Sequence, residues 1–224
     1  MTDKTTIQFK TKVIGLTGIY CAGKNHVAKI LESRSLPVLD LDKLGHEVIK
    51  NEKDLLVKRF GADILDKNGF VDRKLLGAKV FNRPPELEAL EGIIHPAVDK
   101  ETLRWIEKRE EPACVINAAL LHRSSIFNKL DAIILVEAPF PVRLLRARKR
   151  DKLPWKAIFR RFRIQSRFYS QYFKEKTDIY RVSNPWDYTS SGPFRFIAGS
   201  LRKKLESRID EILSFVMLHE HRKG

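Results

Sequence analysis

Long apolar runs, paired cysteines and an apolar leader are missing from this sequence, and each absence excludes something. The longest hydrophobic stretches, such as AIILV at 132–136, fall far short of the roughly 20 residues that span a bilayer. The opening MTDKTTIQFKTK is polar and lacks the apolar core of a signal peptide. Two cysteines, Cys21 and Cys114, make no disulfide framework in 224 residues and suit a reducing compartment. A cytoplasmic protein without a membrane partner is expected. Acids are also scarce: 28 Asp and Glu against 43 Lys and Arg leave a net charge of +15. The imbalance is local, because Val142–Arg167 holds eleven Lys or Arg and a single acid, Asp151. No internal repeat or low-complexity segment is present, and nothing in the sequence sets an oligomeric state.

What is present suits a globular enzyme. Hydrophobic residues make up 43% and charged residues 32% of a chain long enough for a sizeable core. KVIGLTG (12–18), LPVLDLD (36–42), ACVINAALL (113–121), DAIILVEAP (131–139) and DIYRVSN (178–184) read as strands. Helical spacing fills the gaps, as at Val27, Ile30 and Leu31, and along Phe194, Ile197, Leu201, Leu205, Ile209, Ile212 and Val216. Strands alternating with helices imply an α/β fold with a mainly parallel, five-stranded sheet. Residues 61–111 lack a strong strand. They read as a helical excursion after a turn at Asn68-Gly69, with helix continuing up to Pro96. NPWDYTSSGP (184–193) reads as a loop.

The segment GIYCAGKN (18–25) follows the first strand and precedes an amphipathic helix. It matches the phosphate-loop pattern G-x-x-x-x-G-K except at its end, where Asn25 replaces serine or threonine. In such a loop backbone amides surround a β-phosphate, the helix adds its positive end, and the lysine reaches the β- and γ-oxygens. Gly18, Gly23 and Lys24 are in place, and Ile19, Tyr20, Cys21, Ala22, Asn25 and His26 complete the candidate ATP-binding stretch. A lysine in the first turn of an ordinary helix opposes the dipole, so a bound anion is the better explanation of Lys24.

Other features keep two or more readings. Asp40 and Asp42 can serve an acceptor site or cap the next helix. His95-Pro96 is either a substrate contact or a helix-terminating X-Pro with a packed histidine. The basic segment is a solvated face, a nucleic-acid surface with Trp155, Phe159, Phe162 and Phe168 between arginines, or a lid over phosphates. Helical spacing of 155, 159 and 162 favours aromatics packed on the core, the lid ranks first, and nucleic acid is not the expected partner. His46 and His122 show no metal spacing, and His219 and His221 read as solvated.

Taken together, these motifs resemble the dephospho-coenzyme A kinase family. IGLTG with x4-G-K, PVLDLDKLGHEVI (37–49), RFGADILDKNGFVDRKLLGAKVF (59–81), IIHP (93–96), Arg146 with Arg150-Asp151, Arg161-x-x-x-Gln165 and TDIYRVSN (177–184) follow that family's order and spacing over about residues 13–184. The resemblance implies a P-loop kinase fold of three layers, with a helical CoA subdomain and a basic helical lid. It implies one domain over 12–217: core segments 12–60, 112–150 and 177–217, an insertion at 61–111 and a lid at 151–176. The implied activity is transfer of the ATP γ-phosphoryl to the ribose 3′-hydroxyl of dephospho-CoA with Mg²⁺. Asp42 is then the base, Lys24 and Arg150 are catalytic, Arg161 acts on ATP, and Asp40 and His95 lie on the acceptor side.

The chain departs from that family in one region. Ile19, Cys21 and Ala22 stand where glycine, glycine and serine are usual, Asn25 replaces the metal-ligating hydroxyl, and His26 replaces threonine. NAALLHR replaces DIPLLFE, so Asn117 stands for an acid. Asn25 and Asn117 are the candidate metal residues. An asparagine oxygen can ligate a hard cation but adds no charge. A working kinase with altered metal binding and a nucleotide-holding homologue without chemistry are both consistent with the change.

Overall fold

Lys12–Gly18 carries five consecutive buried residues because a parallel strand covered on both faces needs apolar side chains on both. It is β1, the centre of the sheet. The computed structural model describes residues 10–169, 177–185 and 195–218. Most of the expected loop at 184–193, Phe194, His219, His221 and the side chains of Gln165, Phe168 and Ile197 lie outside the described residues.

The other strands are β2 (Val38–Asp40), β3 (Ala113–Asn117), β4 (Ala132–Glu137) and β5 (Asp178–Ser183), in the spatial order β2-β3-β1-β4-β5. The pairs of β1 with β3, β1 with β4, and β4 with β5 are parallel. The register sets Leu16 beside Asn117 and Gly18 beside Val136, so the ends of β1, β3 and β4 share one edge. Ligands of open α/β sheets bind at the carboxyl ends of strands, where the order reverses; here that point is β1.

Helices α1 (Lys24–Ser33) and α8 (Arg195–Leu218) cover one face of the sheet. Val27, Ile30 and Leu31 join Leu205, Ile209, Ile212 and Val216 against Ile14, Leu16, Val115 and Ile134. Arg34 adds a two-pronged contact to Asp210, at 2.9 and 3.1 Å. On the opposite face Gly15 leaves room for Leu121 and Leu130, whose methyl groups would lie 2.6 and 2.7 Å from an added Cβ.

The chain divides into two units, Met1–Leu39 with Ile106–Gly224, and Asp40–Trp105. The second unit is helical: α2 (Leu41–Asn51), α3 (Lys53–Phe60), α4 (Arg73–Val80) and most of α5 (Pro84–Glu107). Its own core joins Leu56, Phe60, Ile64, Leu76 and Val80. The expected Asn68-Gly69 turn is formed, with Asp66 accepting from the Asn68 and Phe70 amides. Two expectations are corrected. The second strand ends at Asp40, because Asp40 accepts from the amides of Asp42 and Lys43 and so caps α2. Nor does Pro96 end its helix: α5 runs through it for 24 residues. An interior proline removes one backbone donor and crowds the carbonyl four residues back; the helix nonetheless continues, and Leu90, Ile93 and Ile94 before the proline pack on the core of the helical unit.

Helices α6 (Phe140–Asp151) and α7 (Trp155–Tyr169) complete the first unit. Their aromatic residues correct another expectation. Phe162 is buried with Ile158, whereas Trp155 and Phe159 are 46% and 48% exposed. Residues 158 and 162 lie one turn apart on the inward stripe, and 155 and 159 form a second stripe, with Arg148 over the Trp155 ring at 5.3 Å.

Ile134 is fully buried in the central β4 strand. Ile134→Ala is expected to lower unfolding free energy by about 2–5 kcal/mol, read as a lower urea midpoint at unchanged slope. A loss under about 1 kcal/mol would contradict this placement of the core.

Candidate active site

The loop after β1 is shaped by two glycines that sterics require. A Cβ on Gly18 would stand 2.9 Å from the Val136 carbonyl oxygen, so only glycine lets β1 pass β4 at that point. Gly23 sits at φ 91° as the residue preceding α1, and a Cβ there would stand 2.2 Å from Asn184 Nδ2. Between them the Ala22 amide donates to the Ile19 carbonyl at 2.9 Å, and the His26 amide donates back to Gly23 at 2.9 Å. Lys24 opens α1, whose first turn holds no acid. The helix therefore presents its positive end without a carboxylate of its own to offset it.

Cys21 occupies φ 60° without being glycine. Such a conformation costs about 1–3 kcal/mol and persists where surroundings impose it. The surroundings are specific. Arg146 Nη1 donates to the carbonyls of Ala22 and Cys21, at 2.9 and 3.3 Å. Asn184 Nδ2 donates to the Ala22 carbonyl at 2.9 Å. Tyr20 packs edge-to-face on Phe162, with ring centroids 5.0 Å apart, in a cluster with Ala147 and Ile158. Its hydroxyl donates to Asp151.

Asp151 organises the arginines. It pairs with Arg150 Nε at 2.7 Å and Arg161 Nη1 at 2.9 Å. The Arg150 hydrogen bond holds its carboxyl down to about 2, against the opposing effect of burial. The Arg150 guanidinium also lies over the Tyr20 ring, 5.2 Å from its centroid. Burial raises the Tyr20 phenol, and the Asp151 hydrogen bond raises it further. Burial also pushes the Cys21 thiol up, outweighing the arginines nearby; this thiol packs and is not a ready thiolate. Burial and the charge of Arg202 lower His26, which is neutral near pH 7.

Loop residues Gly18 to His26 are thus brought together with Arg146, Arg150, Asp151, Arg161 and Asn184. Asn117, 2% exposed, ends β3 beside Leu16 of β1. Asn25 is exposed on the first turn of α1. Among the described residues no group of three or more His, Cys, Asp or Glu converges on a metal position. The two asparagines bring amide oxygens and no charge, a set that fits a cation carried mainly by nucleotide phosphates. Asp40, Asp42 and His95 belong to the helical unit, the first two at the start of α2 and His95 within α5. Sequence reasoning did not assign Asn184, Arg146 or Asp151 to the site. Each lies in a motif already quoted: Asn184 and Asp151 end theirs, just after β5 and at the end of α6, and Arg146 stands one turn before Arg150 on α6.

A parallel sheet in this order, a glycine-framed loop with lysine after β1 and a helix pair bearing arginines define a P-loop kinase. The family model described as Dephospho-CoA kinase matches residues 12–178, and the chain belongs to that family. Among relatives, Dephospho-CoA kinase of Treponema denticola is 34% identical over 80% of this chain and 84% of its own. That of Mannheimia succiniciproducens is 30% identical over the same shares. The Thermus thermophilus structure of TT1252 superposes with a TM-score of 0.70 at 27% identity, covering 90% of this chain and 98% of its own. Dephospho-CoA kinase from Campylobacter jejuni, at 21% identity and a TM-score of 0.59, shares the fold. No helix among the described residues is long and apolar enough to cross a membrane.

Two outcomes follow from the local chemistry. Asp151 is held below its ordinary value of 3.8 in the folded protein, so its stabilising effect is complete above that value and is lost as pH falls towards about 2. Stability of the wild type should therefore fall more steeply between pH 4 and pH 2 than that of Asp151→Asn, measured by urea unfolding. Alkylation of native Cys21 by iodoacetamide should reach half its maximal rate at a higher pH than alkylation of a cysteine peptide. A lower half-point would show an activated thiolate instead.

Proposed function

We propose that this protein transfers the γ-phosphoryl group of ATP to the ribose 3′-hydroxyl of dephospho-CoA, giving CoA and ADP in the last step of CoA synthesis. The observation that carries the reading is the loop Gly18–Lys24 at the start of α1, backed by an arginine cluster, in a chain of this family. Loop amides and Lys24 hold the β- and γ-phosphates. Phosphoryl transfer needs little covalent chemistry from the protein, and its rate comes from positioning and charge stabilisation. Arg150 and Arg161 supply positive charge to the transferring group, with guanidinium donors beyond those that Asp151 engages. Asp42 takes the proton of the acceptor hydroxyl, and Asp40 and His95 serve the acceptor side of the helical unit. Asn25, and after it Asn117, would be the residues to hold Mg²⁺, which would supply charge neutralisation there. The lid reading of the basic segment accounts for its charge through ATP and dephospho-CoA, and no nucleic-acid partner is proposed.

A second reading is a protein that holds nucleotide without transferring phosphate. The two asparagines favour it. ADP release measured with ATP and dephospho-CoA, in Mg²⁺ and in Mn²⁺, separates the two. Turnover that depends on dephospho-CoA is expected, and Asp42→Asn should lower kcat by about 10²–10⁴-fold. Absent turnover with ATP still bound, restored by Asn25→Ser with Asn117→Asp, would instead establish the second reading.

A further inference from the structure

We propose that Asn184 is a positioning residue for the phosphate loop, fixing the peptide plane between Ala22 and Gly23 so that the Gly23 amide faces the β-phosphate. The inference rests on the reading that this loop holds ATP. Asn184 follows β5 directly and is 1% exposed. Its backbone amide donates to the Glu137 carbonyl at 2.8 Å, which ties it to the end of β4. Its own carbonyl accepts from Arg146 Nη2 at 3.2 Å. Anchored on both sides, its side-chain nitrogen reaches the Ala22 carbonyl at 2.9 Å. Arg146 Nη1 reaches the same oxygen at 2.9 Å.

A peptide group is planar, and in its trans form the carbonyl and the next amide point in opposite directions. Two donors on the Ala22 oxygen therefore aim the Gly23 N–H to the other side of the chain. They also keep that oxygen, which would repel an anion, turned away. The missing Cβ of Gly23 is what lets Asn184 approach, since a Cβ there would stand 2.2 Å from Nδ2. Charge-assisted donation from Arg146 alone leaves the plane free to rock about one contact, and Asn184 removes that freedom.

The test compares ADP and AMP binding by calorimetry in wild type, Asn184→Ala and Asn184→Asp. Loss of the side-chain hydrogen bond should weaken ADP about tenfold and leave AMP, which has no β-phosphate, within about twofold of wild type on the same reasoning. Asn184→Asp should be weaker still, because its oxygen meets the Ala22 carbonyl oxygen. A role in packing alone would make the near-isosteric Asp variant better than Ala, and that order overturns the proposal. Unchanged ADP affinity in Asn184→Ala, or equal loss of ADP and AMP, also overturns it. Asn184→Ser, read in the same way, serves where circular dichroism shows that Ala does not fold. Wild-type protein that binds neither nucleotide removes the underlying kinase reading and this proposal together.

Discussion

The structure around β1 depends on one constraint, the fixed direction of the Ala22 carbonyl, which accepts from both Arg146 and Asn184. In the proposed reading, that direction leaves the loop amides facing an anion. The loop leaves β1 where β3 and β4 flank it, so its base is set by the sheet register at Leu16 and Gly18. Its outer side is held by side chains from two other elements, Arg146 of α6 and Asn184 after β5. An anion site built from backbone dipoles needs little reorganisation when a ligand arrives, provided the backbone is already fixed. Strand, helix and arginine together do that fixing.

Loops of this kind are usually glycine-rich, and this one is not. Cys21 takes a left-handed conformation with a side chain, and Tyr20 fills the space behind the loop. The strain at Cys21 and the packing of Tyr20 are two sides of one arrangement. A tyrosine ring buried against Phe162 and Ala147 contributes on the order of 1.5–3 kcal/mol, comparable to the cost of one strained residue. The loop thus gains anchorage to α6 and α7 and loses the freedom that glycine gives.

The parallel sheet was legible in the sequence because buried strands are nearly continuous apolar runs: Lys12–Gly18 was placed to the residue, and Asp178–Ser183 within one. The loop was legible because glycine and lysine at fixed spacing fell between an apolar strand and an amphipathic helix, a setting that the bare spacing alone does not supply. What escaped were contacts that depend on tertiary approach. Pro96 looked like a helix end because sequence shows the missing donor and not the packing that holds the helix on the core of its unit. Trp155, Phe159 and Phe162 looked like one inward stripe because a pattern of three or four residues does not say which face a helix turns to its partner. Asn184 was visible as the last residue of TDIYRVSN, but its hydrogen bond 162 positions back to the Ala22 carbonyl has no local signature.

The same logic explains the single acid within the basic segment. Arg150 and Arg161 near one another repel, and two free guanidinium groups would each sample many rotamers. Asp151, itself only 10% exposed, takes one or two donors from each. Arginine has five donors in a rigid fork, so each keeps donors beyond those Asp151 engages while its orientation is already set. Tyr20 then links this carboxylate to the loop itself. Under the proposed function, the arginines that serve the phosphate are held through the same residue, Tyr20, that braces the loop. Concentrating positive charge is therefore only part of what the segment does; the one negative charge decides where the positive charge is held.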